Sequence, residues 1–567
     1  MKTGKSLTRF FYLLMGALFL PVFFCVVFIG NHMDYNEDNK LNALLPNYVF
    51  VVIALIGFGC ICLLAWAVRK IRVTHKVDLT ADGLLILLFI LLYFVNVRIA
   101  REIAFKFPWD IKAVTTSAES VARGTPLGYF TYFSMYTNNI PILYILKEIY
   151  IKAGEIANYP YIDEFLWIQV NCALISIGGF FSCLTVKKLT QKLMPAFVAF
   201  FLYLALAGMT PWKIAPYTDT YGIVFPVMCI YFYVCYREQK KPVLKCLWAA
   251  LAMVSGMAGG FIKPSIYIVV MAVLAAELAG WLAGDWKRWR YILAEIGLAA
   301  ALFFAKGACM DYLIKDVGLD FNPEIAASWQ NYFYMGLNEE KTGSYYAEDV
   351  AMYGEFQYSG EERKEAALER AIGRMEERGF WGNLYFWLRK MVMVFNDGTF
   401  GWQCEVWIDA HYPSNLASND GFMELSRNIF WPSSRYAGRF NAFCQLAWVF
   451  CLLGISGICF CRKKQGEKYT ILVVGFLGIF CYQMLFEARA RYLLVFLPLL
   501  IVISICGMWQ YVDRIHAWME KRTAEKAKNK QEEEEALGLT MERNGENGRN
   551  QENAPQRVHQ DKGGERA

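Results

Sequence analysis

Histidine is scarce. Five occur among 567 residues, His32, His75, His411, His516 and His559, scattered and without an HExxH-type pairing. A zinc site built on histidines is therefore not expected. Nor is there a disulfide framework: nearly all of the 16 cysteines fall inside apolar runs (Cys25, Cys60, Cys62, Cys172, Cys229 and Cys451 among them), where a small polarisable side chain packs like any other. Cys404 stands almost alone in polar sequence, and no CxxC pattern occurs. The chain has no Gly-rich phosphate loop such as GxxxxGKS and no internal repeat of solenoid period. The apolar run at 10–30 has no small-residue cleavage pattern and leads into further runs, so it reads as an uncleaved first helix.

What the chain has is apolar length. Hydrophobic residues make up 56% and aromatic ones 16%, with a mean hydropathy of +0.28 and repeated runs near 20 residues. These values exceed those of soluble domains and indicate an all-α polytopic membrane protein. A formal charge of +6 carries no nucleic-acid reading, because in such a chain the placement of Lys and Arg matters more than their sum. Twelve spans are expected, at about 10–30, 47–68, 83–100, 165–186, 194–210, 217–236, 244–262, 265–283, 290–310, 441–461, 469–486 and 492–511.

One segment decides the topology. Residues 140–154, IPILYILKEIYIKAG, are apolar but short, and they contain Lys147, Glu148 and Lys152. If the segment lies along the interface as an amphipathic helix, the later basic clusters Lys187/Lys188/Lys192, Arg237/Lys240/Lys241/Lys245, Lys287/Arg288/Arg290 and Arg462/Lys463/Lys464/Lys468 all fall on the cytoplasmic side, with both termini. That topology is the expected one. It divides the chain into a hairpin (1–78), a transmembrane core (79–310) with an outer loop at 101–164, an extracytoplasmic α-rich region (311–440), C-terminal spans (441–513) and a charged tail (514–567), disordered beyond a short helix. In the outer region, EERKEAALERAIGRMEERGF reads as a water-exposed amphipathic helix ended by Gly379, and 384–395 as a second, interfacial helix.

The polar, aromatic-rich stretch 107–141 follows the third span and contains Asp110 in the motif FPWD. A carboxylate beside apolar and aromatic surface can gain enough basicity to act as a general base on a hydroxyl; otherwise it is a solvated loop acid. Asp219, in PYTD at the outer mouth of a span, either positions an acceptor or a metal or caps the helix. Lys263, in GFIKPS between two apolar spans, must snorkel, pair or serve a ligand such as a lipid phosphate. Glu487, Arg489, Arg491 and Tyr492 open the last span in FEARARY. Two arginines on the outer side go against the charge bias unless an anion, Glu487 or lipid headgroups hold them, and guanidinium suits phosphate by bidentate bonding. Asn138 and Asn139, closing the aromatic stretch, are further polar candidates. The outer-region aromatics Tyr332, Phe333, Tyr334, Trp381, Trp387, Trp402, Trp407 and Trp431 either stack on sugar rings or form a small core, and the acids Asp349, Asp397 and Glu405 have no diagnostic spacing.

Together, the post-span Asp, the interfacial helix after an aromatic-Asn-Asn segment, the PYTD turn and the ARARY motif resemble the GT-C superfamily of polytopic glycosyltransferases. This class includes the protein O-mannosyltransferases and the aminoarabinose transferase. With MGLNEEKTGSYYAEDV and NDGTFGW added, the chain more narrowly resembles integral membrane proteins of Gram-positive bacteria, mannosyltransferase-like in character. The likeness covers roughly residues 80–511. It implies a GT-C-like helical bundle that transfers a sugar, with inversion, from a polyprenyl (undecaprenyl) phosphate to a hydroxyl of a cell-envelope acceptor on the outer face of the cell membrane. The acceptor would be a cell-wall glycan, teichoic acid or protein. Asp110 matches the first-loop catalytic acid, Asp219 a second acid, and Lys263, Arg489, Arg491 and Tyr492 the lipid-phosphate contacts. Here a hairpin precedes the superfamily's usual first helix and PWD lacks a neighbouring acid, so participation of a divalent metal stays open. A polysaccharide polymerase or ligase and a lipid-linked sugar transporter or flippase are the competing classes.

Overall fold

In the computed structural model the described residues are 2–33, 44–69, 74–105, 107–156, 162–406, 421–460 and 466–552. Residues 34–43, Trp407, His411, His559 and the basic residues 462–464 lie outside them. All regular structure among the described residues is helical. The chain divides into two units, Met1–Gln510 and Tyr511–Ala567.

The first part of the chain contains α1 (Lys2–Phe28), α2 (Asn47–Val68), α3 (His75–Ile103), α4 (Trp109–Ala122), α5 (Phe130–Met135), α6 (Ile140–Ile156), α7 (Ile162–Thr190) and α8 (Leu193–Tyr203). There follow α9 (Thr218–Tyr221), α10 (Val224–Glu238), α11 (Pro242–Ile262), α12 (Tyr267–Leu282) and α13 (Arg288–Asp316). The remainder comprises α14 (Trp329–Gly336), α15 (Ala347–Glu355), α16 (Gly360–Phe395), α17 (Trp402–Glu405), α18 (Gly421–Phe430), α19 (Ala437–Cys459), α20 (Gly466–Leu485) and α21 (Leu497–Glu552). Local chemistry sets several boundaries. Thr74 caps α3 by accepting the Val77 N–H at 3.3 Å. Pro242 opens α11, where its missing N–H costs nothing.

Among the described residues, eleven helices are long and apolar enough to cross a membrane, not twelve. The difference is the segment expected at 194–210. Its helical part, Leu193–Gly208, is about 24 Å long at 1.5 Å per residue, short of a full hydrocarbon core. It ends in a widened turn at Leu204–Gly208, and Pro211 follows. A buried loop completes the passage: Asn171 of α7 donates to the carbonyls of Lys213 and Ala215, at 2.9 Å each, satisfying backbone that no helix satisfies.

The segment at 140–154 forms α6 and is not one of the eleven. Asn139 at its start bonds Tyr217, and Tyr150 packs on Trp167 with ring centroids 6.4 Å apart. Both neighbours sit at the same end of the bundle, since Tyr221 donates to the Trp167 carbonyl at 3.1 Å. Helix α6 therefore leaves and returns at one end, where Lys147 pairs with Asp316 at the close of α13.

At the opposite end the basic turns gather. Lys187 pairs with Asp78 and Asp82 (2.9 and 2.6 Å), Lys188 with Glu238 (2.9 Å), and Arg237 and Arg288 share Glu277 (3.3 and 3.6 Å). Close backbone approaches lock the spans. A Cβ on Gly507 of α21 would overlap the Gly454 carbonyl of α19, so the two helices cross at a glycine pair.

Between α13 and α19, Ser359 caps α16, and Gly379, at φ 61° and ψ −175°, breaks it. Beyond the break the helix does not stay on a surface: Lys390 to Phe395 are wholly enclosed, with Phe395 among Phe19, Trp448, Phe476 and Phe480. Residues 396–402, NDGTFGW, then turn inside the bundle. Asp397 accepts from the Thr399 N–H and hydroxyl (2.7 Å each) and the Gly401 N–H (2.6 Å), while Gln445 of α19 accepts from the Gly398 N–H at 2.8 Å. A smaller core of Tyr334, Leu337, Met352, Tyr353, Ala367, Ala371 and Phe386 holds α14, α15 and α16 together.

In the second unit helix continues to Glu552 where the sequence reads as disordered. Lys521–Glu525 and Lys528–Glu532 pairs at i,i+4 spacing, 3.7 and 3.5 Å, support it.

Candidate functional site

Asp110 lies in the first turn of α4, directly after Pro108 and Trp109. Trp109 has φ 47°, a left-handed backbone unusual for a bulky residue and characteristic of sites that other contacts hold in place. The Tyr217 hydroxyl donates to Asp110 Oδ2 at 3.3 Å, and Asn139 Nδ2 donates to the Tyr217 and Tyr132 hydroxyls at 3.2 and 2.6 Å. Asn138 in turn donates to Asn139 Oδ1 at 3.1 Å, fixing the amide. Burial, and after it the Asp110 charge, pushes Tyr217 well above the ordinary phenol range; burial, Tyr217 and Asp110 do the same to Tyr132. Both remain protonated donors at neutral pH.

Next to this network stands Arg491. Its guanidinium carbon is 5.3 Å from the Trp109 ring centroid, 5.7 Å from those of Trp212 and Tyr492, and 5.8 Å from that of Tyr217. Four rings thus box one cation, each attracting it through its π face. Arg491 Nε approaches Glu405 Oε2 at 3.4 Å and Asp219 Oδ2 at 3.9 Å, and Arg489 reaches the same Glu405 oxygen at 3.4 Å. Lys263 pairs with Asp219 Oδ1 at 2.5 Å and lies 4.9 Å from the Tyr492 ring. The Tyr492 hydroxyl donates to Glu487 at 2.7 Å, and burial raises Glu487 above the usual carboxyl range, with Arg489 opposing.

Asp110, Asp219, Lys263, Arg489, Arg491, Tyr492, Asn139 and Glu487 therefore belong to one connected centre, although more than 370 positions separate the first from the last ARARY residues. Its floor is aromatic: Trp212 stacks on Phe107 (6.3 Å) and meets Trp402 edge-on (5.2 Å). The centre is not saturated. Arg491 Nε and Nη1, Asp219 Oδ2 and Glu405 Oε1 are buried without a hydrogen-bond partner, a costly condition unless a ligand completes them.

Four residues of the centre carry no site signal in the sequence. Glu405, which bridges both arginines, arrives only through the buried NDGTFGW turn. Tyr217 is two residues from the candidate Asp219 but carries no signal of its own, and Tyr132 and Trp212 look like any membrane aromatics. The other two acids singled out have other roles: Asp349 pairs with Arg374 (2.5 Å), and Asp397 organises its turn. Trp402 is core and Trp431 is tied to the Ile103 carbonyl at 2.9 Å, whereas Trp381 is exposed. For a divalent cation the residues are a poor fit, because Asp219 and Glu405 are each engaged by cationic side chains. Among the described residues no group of three or more His, Cys, Asp or Glu could hold a metal ion.

Eleven apolar helices around a buried, charged and aromatic centre define a polytopic membrane protein with a built polar site at one end of its bundle. The chain belongs to the family described as conserved hypothetical integral membrane protein, whose model matches residues 2–510, the whole bundle. No curated protein and no solved structure matches it.

Proposed function

We propose that the protein is a GT-C-like glycosyltransferase that moves a sugar from a polyprenyl phosphate to an acceptor hydroxyl at the outer face of the membrane. The observation that carries this reading is the conjunction of a tyrosine-bonded carboxylate, Asp110, with a boxed guanidinium, Arg491, whose buried Nη1 has no hydrogen-bond partner. In the reaction the acceptor oxygen forms a bond to the anomeric carbon, the bond from that carbon to the phosphate oxygen breaks, and the acceptor proton passes to Asp110. Attack opposite the leaving group inverts the anomeric centre. The phosphate leaves with the polyprenyl chain, and Arg491, Arg489 and Lys263 stabilise its growing charge. Donors fixed before the reaction, in a site that excludes water, are commonly the largest single contribution to such catalysis. Asp219 and Glu405 hold those cations in place, and the half-buried Trp109 offers a face on which a sugar ring can stack.

Asp110 is the base because Tyr217 and Asn139 fix its orientation, and geometry precedes basicity in choosing one. The test supplies the protein in nanodiscs with labelled polyprenyl-phosphate sugar and a cell-wall extract. Transfer of one sugar to the acceptor is expected. Transfer of a long glycan instead assigns a polymerase or ligase, and movement of the intact lipid across a bilayer without transfer assigns a flippase.

A further inference from the structure

At the end of the bundle opposite Asp110 and Arg491, one side of α12 and its C-cap is built from small residues, Ala276, Ala279, Gly280 and Ala283. They wall a cavity of about 310 Å³. Helices α9 and α10 run from Asp219 at one site to Arg237 and Glu238 at the other, about 30 Å at helical rise, so the two sites are separated by roughly a hydrocarbon core. Leu189, Val234 and Ile471 continue the apolar wall. Its polar side has Arg237, Arg288 and Lys468, with the hydroxyls of Thr8 and Thr470.

The arginines are braced. Glu277, wholly buried, accepts the Tyr233 and Tyr236 hydroxyls at 2.8 and 3.1 Å and Arg237 Nη1 at 3.3 Å, and lies 3.6 Å from Arg288 Nη1. One carboxylate thus positions two guanidinium groups. Asp285 holds Arg288 Nε at 2.9 Å. Arg288 lies directly on Gly280, where a Cβ would overlap the guanidinium, so glycine is what allows the cation to reach the cavity. Two acids also line the space. Glu238 is neutralised by Lys188 at 2.9 Å, and Glu467 is exposed. Basic residues outnumber acidic ones in the described turns at 187–192, 237–245 and 285–290, which gives this end a positive field.

We propose that this cavity is a second binding site, for a phosphate group, carried either by a lipid headgroup of the adjoining leaflet or by a soluble phosphate compound. Its volume is at the small end of ligand sites, and forked guanidinium donors beside a slim apolar wall match a phosphate with a short organic stem. None of its residues belongs to the Asp110 centre, so it stands or falls separately from glycosyl transfer.

The test is thermal unfolding of the full chain in phosphatidylcholine nanodiscs, with inorganic phosphate added or with phosphatidic acid doped into the disc. A ligand that binds only the folded state raises Tm with concentration. Wild type is expected to respond to at least one probe: a response to inorganic phosphate assigns a soluble ligand, and a response to phosphatidic acid alone assigns a lipid. Lys468→Ala is expected to weaken the response about tenfold in apparent affinity, corresponding to about 1.4 kcal/mol. Gly280→Val, which displaces Arg288, is expected to abolish it, and Arg290→Ala, outside the cavity, to leave it intact. If Gly280→Val does not fold, Lys468→Ala carries the test, since its side chain is exposed. No wild-type response to either probe, or an undiminished response in Lys468→Ala, overturns the proposal.

Discussion

Glu405 is the counter-charge that Arg489 and Arg491 share, and it is buried with Arg491 beside a half-buried Arg489. Removing one member of a buried charged group leaves the others uncompensated, which is more costly than the group's net worth. Glu405→Gln is therefore expected to lower stability by about 3 kcal/mol, read by chemical unfolding in detergent. Glu487 gives a pH signature. Burial raises its carboxyl above the ordinary value of 4.5, so between that value and the raised one the folded state binds more protons than the unfolded. Stability should then fall as pH rises through this window, and Glu487→Gln should flatten the slope; an unchanged slope in the variant would assign it to another group. At this scale the sequence was informative where a residue broke an expectation. Arg489 and Arg491 go against the charge bias of the expected topology, Lys263 lies between apolar spans, and Asp110 follows one within a few residues. Glu405 broke none, because an acid in a polar outer region looks ordinary until a buried turn carries it inward.

Among the elements, the turn at 396–402 does the most positioning. It places Glu405 below the arginines and Phe400 against Trp212, whose indole N–H donates to the Phe400 carbonyl at 3.0 Å. Asp397 satisfies three donors there. Asp397→Ala should cost about 3 kcal/mol, since hydrogen bonds to a charged group contribute more than neutral ones, and the loss is checked by the unfolding midpoint. Gly507→Val should cost a similar ~3 kcal/mol by forcing α21 away from α19. The apolar helices were legible from length and hydropathy alone. The inward course of 390–395 was not: a short apolar segment with Arg389 and Lys390 has the composition of an interfacial helix. Only the carbonyls of Gly336, Met484 and Phe486, which take the Lys390 ammonium at 2.6, 3.2 and 2.6 Å, allow it to be buried. The shortened span at Leu193–Gly208 likewise depends on partners in α7 that are distant in sequence.

For the whole molecule, the two ends of the bundle have different chemistry: one holds the boxed Arg491 and the Asp110 network, the other the basic turns and the cavity lined by Arg237 and Arg288. The proposed orientation puts the first outside and the second in the cytoplasm. Cysteine labelling checks it: in a background lacking the exposed Cys60, Cys246 and Cys309, Arg123→Cys should react with an impermeant maleimide in intact cells, and Lys287→Cys only after permeabilisation. The reverse pattern would place the Asp110 centre in the cytoplasm.

The most direct measurement is single-turnover transfer from labelled polyprenyl-phosphate sugar by Asp110→Asn, with donor binding measured on the same preparation. The proposed roles predict unchanged donor affinity and a transfer rate reduced on the order of 10³-fold, the usual scale for loss of a general base. Transfer at the wild-type rate with donor bound would contradict Asp110 as the base and, with it, the centre as the site of glycosyl transfer.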